Sequence, residues 1–263
     1  MNAAKDVFLT SAKACIENGD RLLGDAEGLE FAERPATTFA LAIIAQEEFA
    51  KGYLLMLVAR NVIPWHPLIY RASRDHVCKQ LLGIVMEYLN PDVDEFRRRL
   101  AEWREQHGEL EGLLASLKDD LLNEALRQRL HDLSDSIHRL PPCVADAISM
   151  LRWEKIGRWD SLSWEWADEP QYDPAAQMIG EGSVDREKQD ALYVRLSRSG
   201  QVVGTPDSVA PDTATEAMKR AERFGQLVKS MFSESPIAWE YERVEQIIAL
   251  VFQDLANRIA KSE

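Results

Sequence analysis

Residues 70–79, YRASRDHVCK, place side chains that bind phosphate and move protons within a few positions of each other. Arg71 and His76 are separated by four residues, and Lys79 follows about one turn beyond His76. An imidazole carries protons near neutral pH, and a guanidinium holds a phosphate through two parallel hydrogen bonds. Such a pair is suited to general acid–base chemistry on a phosphodiester. Without a metal it would drive the RNA 2′-OH onto the neighbouring phosphorus, so the expected substrate is RNA rather than DNA. A helix start at this point would add backbone N–H groups and a dipole that favour an anion. The spacing itself selects weakly. With five histidines in the chain, an arginine four to six residues upstream of one arises about once by chance. It occurs twice, because Arg60 and His66 also match, around a Trp-His-Pro turn. His107, His131 and His138 lie among charged residues and read as surface or cap groups.

A second anomaly precedes it. Residues 39–59, FALAIIAQEEFAKGYLLMLVA, form an apolar run whose only charged members are Glu47, Glu48 and Lys51. Ionised groups are expensive to bury unless paired. Glu47 and Lys51 stand at i and i+4, the favourable orientation for an intrahelical pair. Ile43 and Ile44, one turn before Glu47, place at least one carboxylate in an apolar stripe. Two readings stay open at this point: a structural network or water edge, and a polar site that positions another charged group. A carboxylate-bridged metal is not expected. Helical di-iron sites need a Glu three residues before a His on two helices. No histidine here has one, and only Asp135 and His138 approach the spacing.

The surrounding elements read as mainly α. Phe8, Ala12, Cys15 and Ile16 form a helical stripe, extended by Leu22 and Leu23 up to Gly24. A second helix starts near Pro35–Thr38 and ends near Asn61; being apolar all round, it is the expected centre of the bundle. A third is expected over 68–89. Asn90 and Pro91 should cap and begin the next, with Phe96, Leu100, Trp103, Leu113, Leu114, Leu117 and Leu121 as its inner stripes. Another helix begins at Val144. Residues 153–183, with Trp153, Trp159, Trp164 and Trp166, read as an aromatic-pinned loop. Residues 192–204 alternate around SRSG, predicting a β-hairpin with Gly200 in its turn. Two closing helices follow, the first capped by Asp212 or Thr213. The expected organisation is a helical bundle over 1–152, the aromatic loop and hairpin over 153–210, and helices packing back over 211–263.

A net charge of −13 opposes broad nucleic-acid binding by a basic surface, while leaving room for a small basic site. Cys15, Cys78 and Cys143 are dispersed, as in a reducing cytoplasm. The N-terminal residues carry no signal-like apolar stretch, and the charges inside 39–59 argue against a membrane span. A cytoplasmic protein without membrane contact is expected. No Gly-rich phosphate loop is present, and no cofactor is expected.

In their order along the chain, EEFAK, RASRDHVCKQ and REKQDALYVRLSRSGQVVGTPDSVAPDTATEAMKRAERF resemble the AbiV-type abortive-infection proteins, bacterial anti-phage proteins of the HEPN superfamily. The resemblance spans most of residues 1–235. It implies an antiparallel helical bundle with a small β-hairpin insertion, a homodimer, and in many members a metal-independent ribonuclease. In those enzymes an Arg-x4–6-His motif from each protomer meets across the interface. Carried over, Arg71 would stabilise the phosphate and His76 would be the acid–base group. Lys79, Glu47, Glu48 and Lys51 would orient or charge-balance them. The residue after the arginine is usually polar in these enzymes; here it is Ala72, and Asp75 would partly substitute. The implied partners are RNA, a second copy of the chain and a phage-encoded trigger. The alternative is a non-catalytic sensor whose loop and hairpin bind a protein partner.

Overall fold

The run at 39–59 is buried among its neighbouring helices. The computed structural model describes residues 2–30, 33–116, 140–160, 171–232 and 241–262. Helix α2 (Pro35–Ala59) starts with Pro35 in its first turn, and 18 of its 25 residues are buried, so neighbours cover it on all sides. Asn61, just past its end, takes a left-handed φ of 60°, which asparagine tolerates. Helix α1 (Asn2–Glu30) runs past Gly24 and buries Ala12, Cys15, Ile16, Leu22 and Leu23. Helix α9 (Pro211–Ser230) packs on α2 and α1. Phe49 of α2 is wedged where these helices meet. A Cβ at Gly19 of α1 would stand 2.5 Å from its ring, and one at Gly225 of α9 2.9 Å.

The third helix is two helices, α3 (Pro67–Ala72) and α4 (His76–Leu89). Ser73 donates its hydroxyl to the Tyr70 carbonyl (2.7 Å), and the Asp75 carboxylate accepts the Cys78 N–H (2.9 Å). These local bonds end one helix and cap the next. Asn90 ends α4 rather than opening α5 (Val93–Ser116), and its side chain donates to the Arg223 carbonyl. Asp92 supplies the α5 cap, because its carboxylate accepts the N–H groups of Asp94 and Glu95. By contacts the chain forms two units, Met1–Asn90 with Pro142–Glu263, and Pro91–Pro141.

Helix α6 (Pro142–Ser149) continues through a π-helical turn at Met150–Ile156 and a 3₁₀ turn at Gly157–Trp159. Within the expected loop lies α7 (Pro174–Gly180), and α8 (Ser183–Leu192) occupies residues expected to lead into the hairpin. Gly182, at φ 77°, makes the turn between them, a conformation open to glycine. The hairpin is short: β1 (Arg195–Leu196) pairs antiparallel with β2 (Val202–Gly204), and Gly200 turns at φ 81°. Neither Asp212 nor Thr213 caps α9. Pro211 opens it, and Ala210 at the cap contributes no side-chain bond. Helices α10 (Tyr241–Val251) and α11 (Gln253–Ser262) break at Phe252. Leu117, Leu121, His131, Asp135, His138, Trp164 and Trp166 lie outside the described residues, as do the side chains of Trp103, His107, Leu113 and Leu114. Among the described residues no helix is long and apolar enough to cross a membrane.

Candidate active site

His76 is the first residue of α4, directly after the Asp75 cap, and its side chain is 53 % exposed. A histidine at such a position would ordinarily swing freely in solvent. This one is tied to the core. Its Nδ1 lies 2.6 Å from Glu47 Oε2, and the Glu47 side chain is only 3 % exposed. The packing of α2 on α4 brings the two together across 29 residues of sequence.

The same carboxylate gathers three more partners. Lys79 Nζ stands 3.1 Å from Oε2, while Lys188 Nζ of α8 (2.8 Å) and Gln80 Nε2 (3.0 Å) donate to Oε1. Four partners match the lone-pair capacity of an ionised carboxylate. Lys188 is also paired with Asp185, one turn back on its own helix, at 2.8 Å. Two carboxylates, Glu47 and Asp185, therefore balance two ammonium groups, Lys79 and Lys188, and the cluster carries no net charge while His76 is neutral. Burial by itself would raise the Glu47 pKa. Lys79, Lys188 and the His76 hydrogen bond outweigh it and hold the carboxyl below its ordinary value, so Glu47 is ionised.

That charge fixes the imidazole tautomer. A lone pair on Nδ1 would face a carboxylate at 2.6 Å, so Nδ1 carries the proton and donates it to Glu47. The 3.1 Å approach of Lys188 Nζ to Nδ1 is then a contact between two donors that share the carboxylate rather than a second bond. Nε2 has no hydrogen-bond partner among the described residues and is left as the atom to take or give a proton.

Arg71, on the last turn of α3, is exposed and stacks its guanidinium 4.4 Å over the Trp159 ring. Arg158 covers the same indole at 5.1 Å and reaches Asp75 Oδ2 at 3.4 Å. Asp75 thus caps α4 through one oxygen and meets Arg158 through the other. Among the described residues no hydrogen bond or ion pair joins Arg71 to His76. They are linked by the turn between them, in which the Asp75 N–H donates to the Arg71 carbonyl (3.2 Å). Against a net charge of −13, these exposed guanidiniums at the start of α4 form a local basic patch.

The other expected placements differ. Glu48 and Lys51 do not join this cluster. They pair with each other at 3.6 Å, and the expected Glu47–Lys51 pair gives way to Glu48–Lys51. Successive helical residues point about 100° apart, so only one of two adjacent glutamates can face α4 and α8. The alternative pair is occupied elsewhere. His66 Nδ1 accepts the Leu68 N–H (3.3 Å) as the cap of α3, and Arg60 pairs with Glu245 at 2.8 Å. Sequence reasoning assigned no role to Lys188, Asp185, Gln80 or Trp159. The REKQ segment that marked the resemblance does contain Lys188, but a lysine in a polar stretch gives no sign of being 7 % exposed.

Glu47, His76 and Asp185 each offer one metal-ligating atom, all within 4.8 Å of one another. Lys188 Nζ bonds or contacts each of the three residues, so an ammonium stands where a cation would bind. Chemically, the arrangement is a histidine base oriented by a buried carboxylate, beside exposed arginines suited to a phosphate. No curated protein and no solved structure matches this chain. A family model does: residues 8–226 match that of AbiV, of HEPN type, and the chain belongs to the AbiV family of HEPN proteins.

Proposed function

We propose that this chain is an anti-phage endoribonuclease that works without a metal and stays dormant until a phage-encoded protein triggers it. The supporting observation is the His76 imidazole, whose Nδ1 is held by buried Glu47 at 2.6 Å while Nε2 has no hydrogen-bond partner among the described residues. In this reading Nε2 takes the proton of an RNA 2′-OH, the 2′-oxygen attacks the adjacent phosphorus, and the bond to the 5′-oxygen breaks. Arg71 and the α4 N-terminus hold the phosphate. The products are a 2′,3′-cyclic phosphate and a 5′-hydroxyl. One imidazole cannot remove the 2′ proton and protonate the leaving oxygen in the same step, so the reading requires a homodimer in which His76 of a second copy serves as the acid. Ala72 leaves Asp75 to supply polarity after Arg71, through its contact with Arg158.

The test is cleavage of RNA in EDTA by purified protein, alone and with candidate phage proteins. His76→Ala should lower the rate by about 100-fold or more, and Arg71→Ala should follow it. His66→Ala, which removes only a helix cap, should cut as the wild type does. Unchanged cutting by His76→Ala overturns the assignment. A second reading rests on the hairpin, where Tyr193, Val194, Leu196 and Val202 are all more than half exposed. A non-catalytic protein-binding role predicts phage resistance that survives His76→Ala and Arg71→Ala but is lost when residues 193–204 are replaced by a short Gly-Ser turn.

A further inference from the structure

Two large aromatic side chains stand in solvent shortly before His76 in the chain. Trp65, ahead of α3, is 42 % exposed, and Tyr70 within α3 is 51 % exposed. Neither hangs loose. Trp65 packs on Phe8 of α1 with ring centres 4.9 Å apart, and meets Tyr70 nearly edge-on at 6.3 Å. The Arg74 guanidinium leans over the hydroxyl end of Tyr70, 3.5 Å from the oxygen and 5.7 Å from the ring centre. The rings are thus held in place while half of the tyrosine stays open to solvent. Trp159 differs, because Arg71 and Arg158 already stack on it.

Charge says what such a surface would meet. Between Trp65 and His76 the guanidiniums are Arg71 and Arg74 and the one carboxylate is Asp75, and Arg158 joins them through its contact with Asp75. Three cations therefore stand with one anion, on a chain whose net charge is −13. A second copy pressed directly against this face would set guanidiniums against guanidiniums, a like-charge contact. A polyanion lying on it would neutralise them. Exposed rings interleaved with arginines suit a single-stranded nucleic acid, whose unpaired bases stack on the rings while its phosphates meet the cations. A duplex keeps its bases in its own stack and offers the rings nothing to hold.

We propose that Tyr70, braced by Trp65, is a stacking platform for an unpaired base beside the phosphate held at Arg71, so that the site takes single-stranded rather than paired RNA. The proposal rests on the reading of the His76 site as one that accepts RNA, and adds the residue that selects the form of the strand. Tyr70 directly precedes Arg71, and Arg74 supplies charge for the adjoining phosphate. The experiment titrates the resting full chain into fluorescein-labelled, fully 2′-O-methylated RNA of about 12 nucleotides, without self-complementarity, and reads anisotropy at low salt. This probe lacks the 2′-OH and cannot be cut, so binding is read apart from cleavage. A midpoint of roughly 1–100 µM is expected, with the duplex form of the same oligonucleotide at least about 5-fold weaker. Tyr70→Ala should weaken single-strand binding by about 5-fold or more and remove the preference over duplex, whereas Tyr70→Phe, which keeps the ring, should bind as the wild type does. Equal affinity for the two forms, unaltered binding by Tyr70→Ala, or no binding up to about 0.5 mM protein overturns the proposal. So does a Tyr70→Ala protein that keeps its RNA affinity and loses a dimer in sedimentation, which would make this face a contact between copies. RNA cutting in EDTA that persists beside any of these results leaves the His76 reading standing, and Tyr70-dependent binding by a chain that never cuts refutes that reading alone.

Discussion

Glu47→Gln removes one charge and little else, and the structure fixes what should follow. The side chains of Glu47, Lys79 and Lys188 are 3 %, 8 % and 7 % exposed, so without Glu47 the Lys79 ammonium is stranded in the interior, while Lys188 keeps only Asp185. The amide keeps an acceptor for His76 or a lysine, but the cluster, balanced before, is left with one uncompensated positive charge. Removing one partner of a buried ion pair costs about 3–5 kcal/mol, because the remaining charge is stranded. At about 2–4 °C per kcal/mol for a chain of this size, the melting temperature should fall by roughly 6–20 °C. The decisive measurement is a double-mutant cycle in urea. Lys188→Met strands Asp185 and leaves Glu47 with Lys79, whereas Glu47→Gln with Lys188→Met restores charge balance between Asp185 and Lys79. The double variant should therefore be more stable than the sum of the single losses, by at least about 1 kcal/mol. Acid sensitivity follows from the same charge. The Glu47 carboxyl titrates below its ordinary value when folded, so its contribution is present above the unfolded value of about 4.3 and disappears as pH falls through the lower folded one. Glu47→Gln should accordingly lose less stability than the wild type on acidification below about pH 4.3. A loss under about 1 kcal/mol for Glu47→Gln, with strictly additive single effects, would refute the reasoning.

Lys188→Ala empties the point where Glu47, Asp185 and His76 converge, and should let the variant bind Co²⁺ with visible absorption that the wild type lacks; identical metal titrations would refute this. Gly225→Ala sets a Cβ 2.9 Å from Phe49, whose ring is also closely approached by Gly19, and should cost about 1–3 kcal/mol of stability in urea. A loss below about 0.5 kcal/mol would show that Phe49 can yield. Asp75→Ala removes the α4 cap and the Arg158 contact together, and should destabilise the protein by about 1 kcal/mol. An unchanged urea midpoint would count against Asp75 as the cap.

The central helix was legible because nothing but burial explains an apolar run from 39 to 59, and the anomaly of charge inside it was equally legible. Which glutamate mattered was not. Glu47 and Glu48 are neighbours in sequence, and only the placement of α4 and α8 around α2 separates the one facing His76 from the one facing Lys51. The break at residues 73–75 was hidden for a related reason. RASRDH continues a helical pattern, and the side-chain bonds of Ser73 and Asp75 decide locally against it. Helix α8 was missed because SVDREKQDAL lacks an apolar stripe; it buries Lys188 and Ala191, and a lysine that is buried because it has partners looks like any surface lysine. Trp159 was noticed only as part of an aromatic cluster, since its use as a platform for Arg71 depends on a turn that no spacing encodes.

The burial of Glu47 is better understood as a device for holding a surface group than as a source of stability. Apolar residues at positions 47, 79 and 188 together would avoid the desolvation of three ionised groups, and buried ion pairs seldom exceed well-packed hydrophobic replacements. What such a replacement would lose is direction. An exposed histidine on the first turn of a helix has several rotamers and two tautomers available. A carboxylate fixed in the core, with its charge matched by Lys79 and Lys188, selects one tautomer and leaves Nε2 as the free nitrogen. The lysines come from α4 and α8 while the carboxylate comes from α2, so the geometry exists only when all three helices are docked. Any partner that shifts α8, which runs directly toward the exposed hairpin, would withdraw Lys188 from Glu47 and change the electrostatics at His76. Disturbing the hairpin should therefore alter the imidazole environment, read by NMR of the His76 ring protons after replacing residues 197–201 with a Gly-Ser turn. An unperturbed ring would show that α8 holds its place without the hairpin and would separate the two ends of this element.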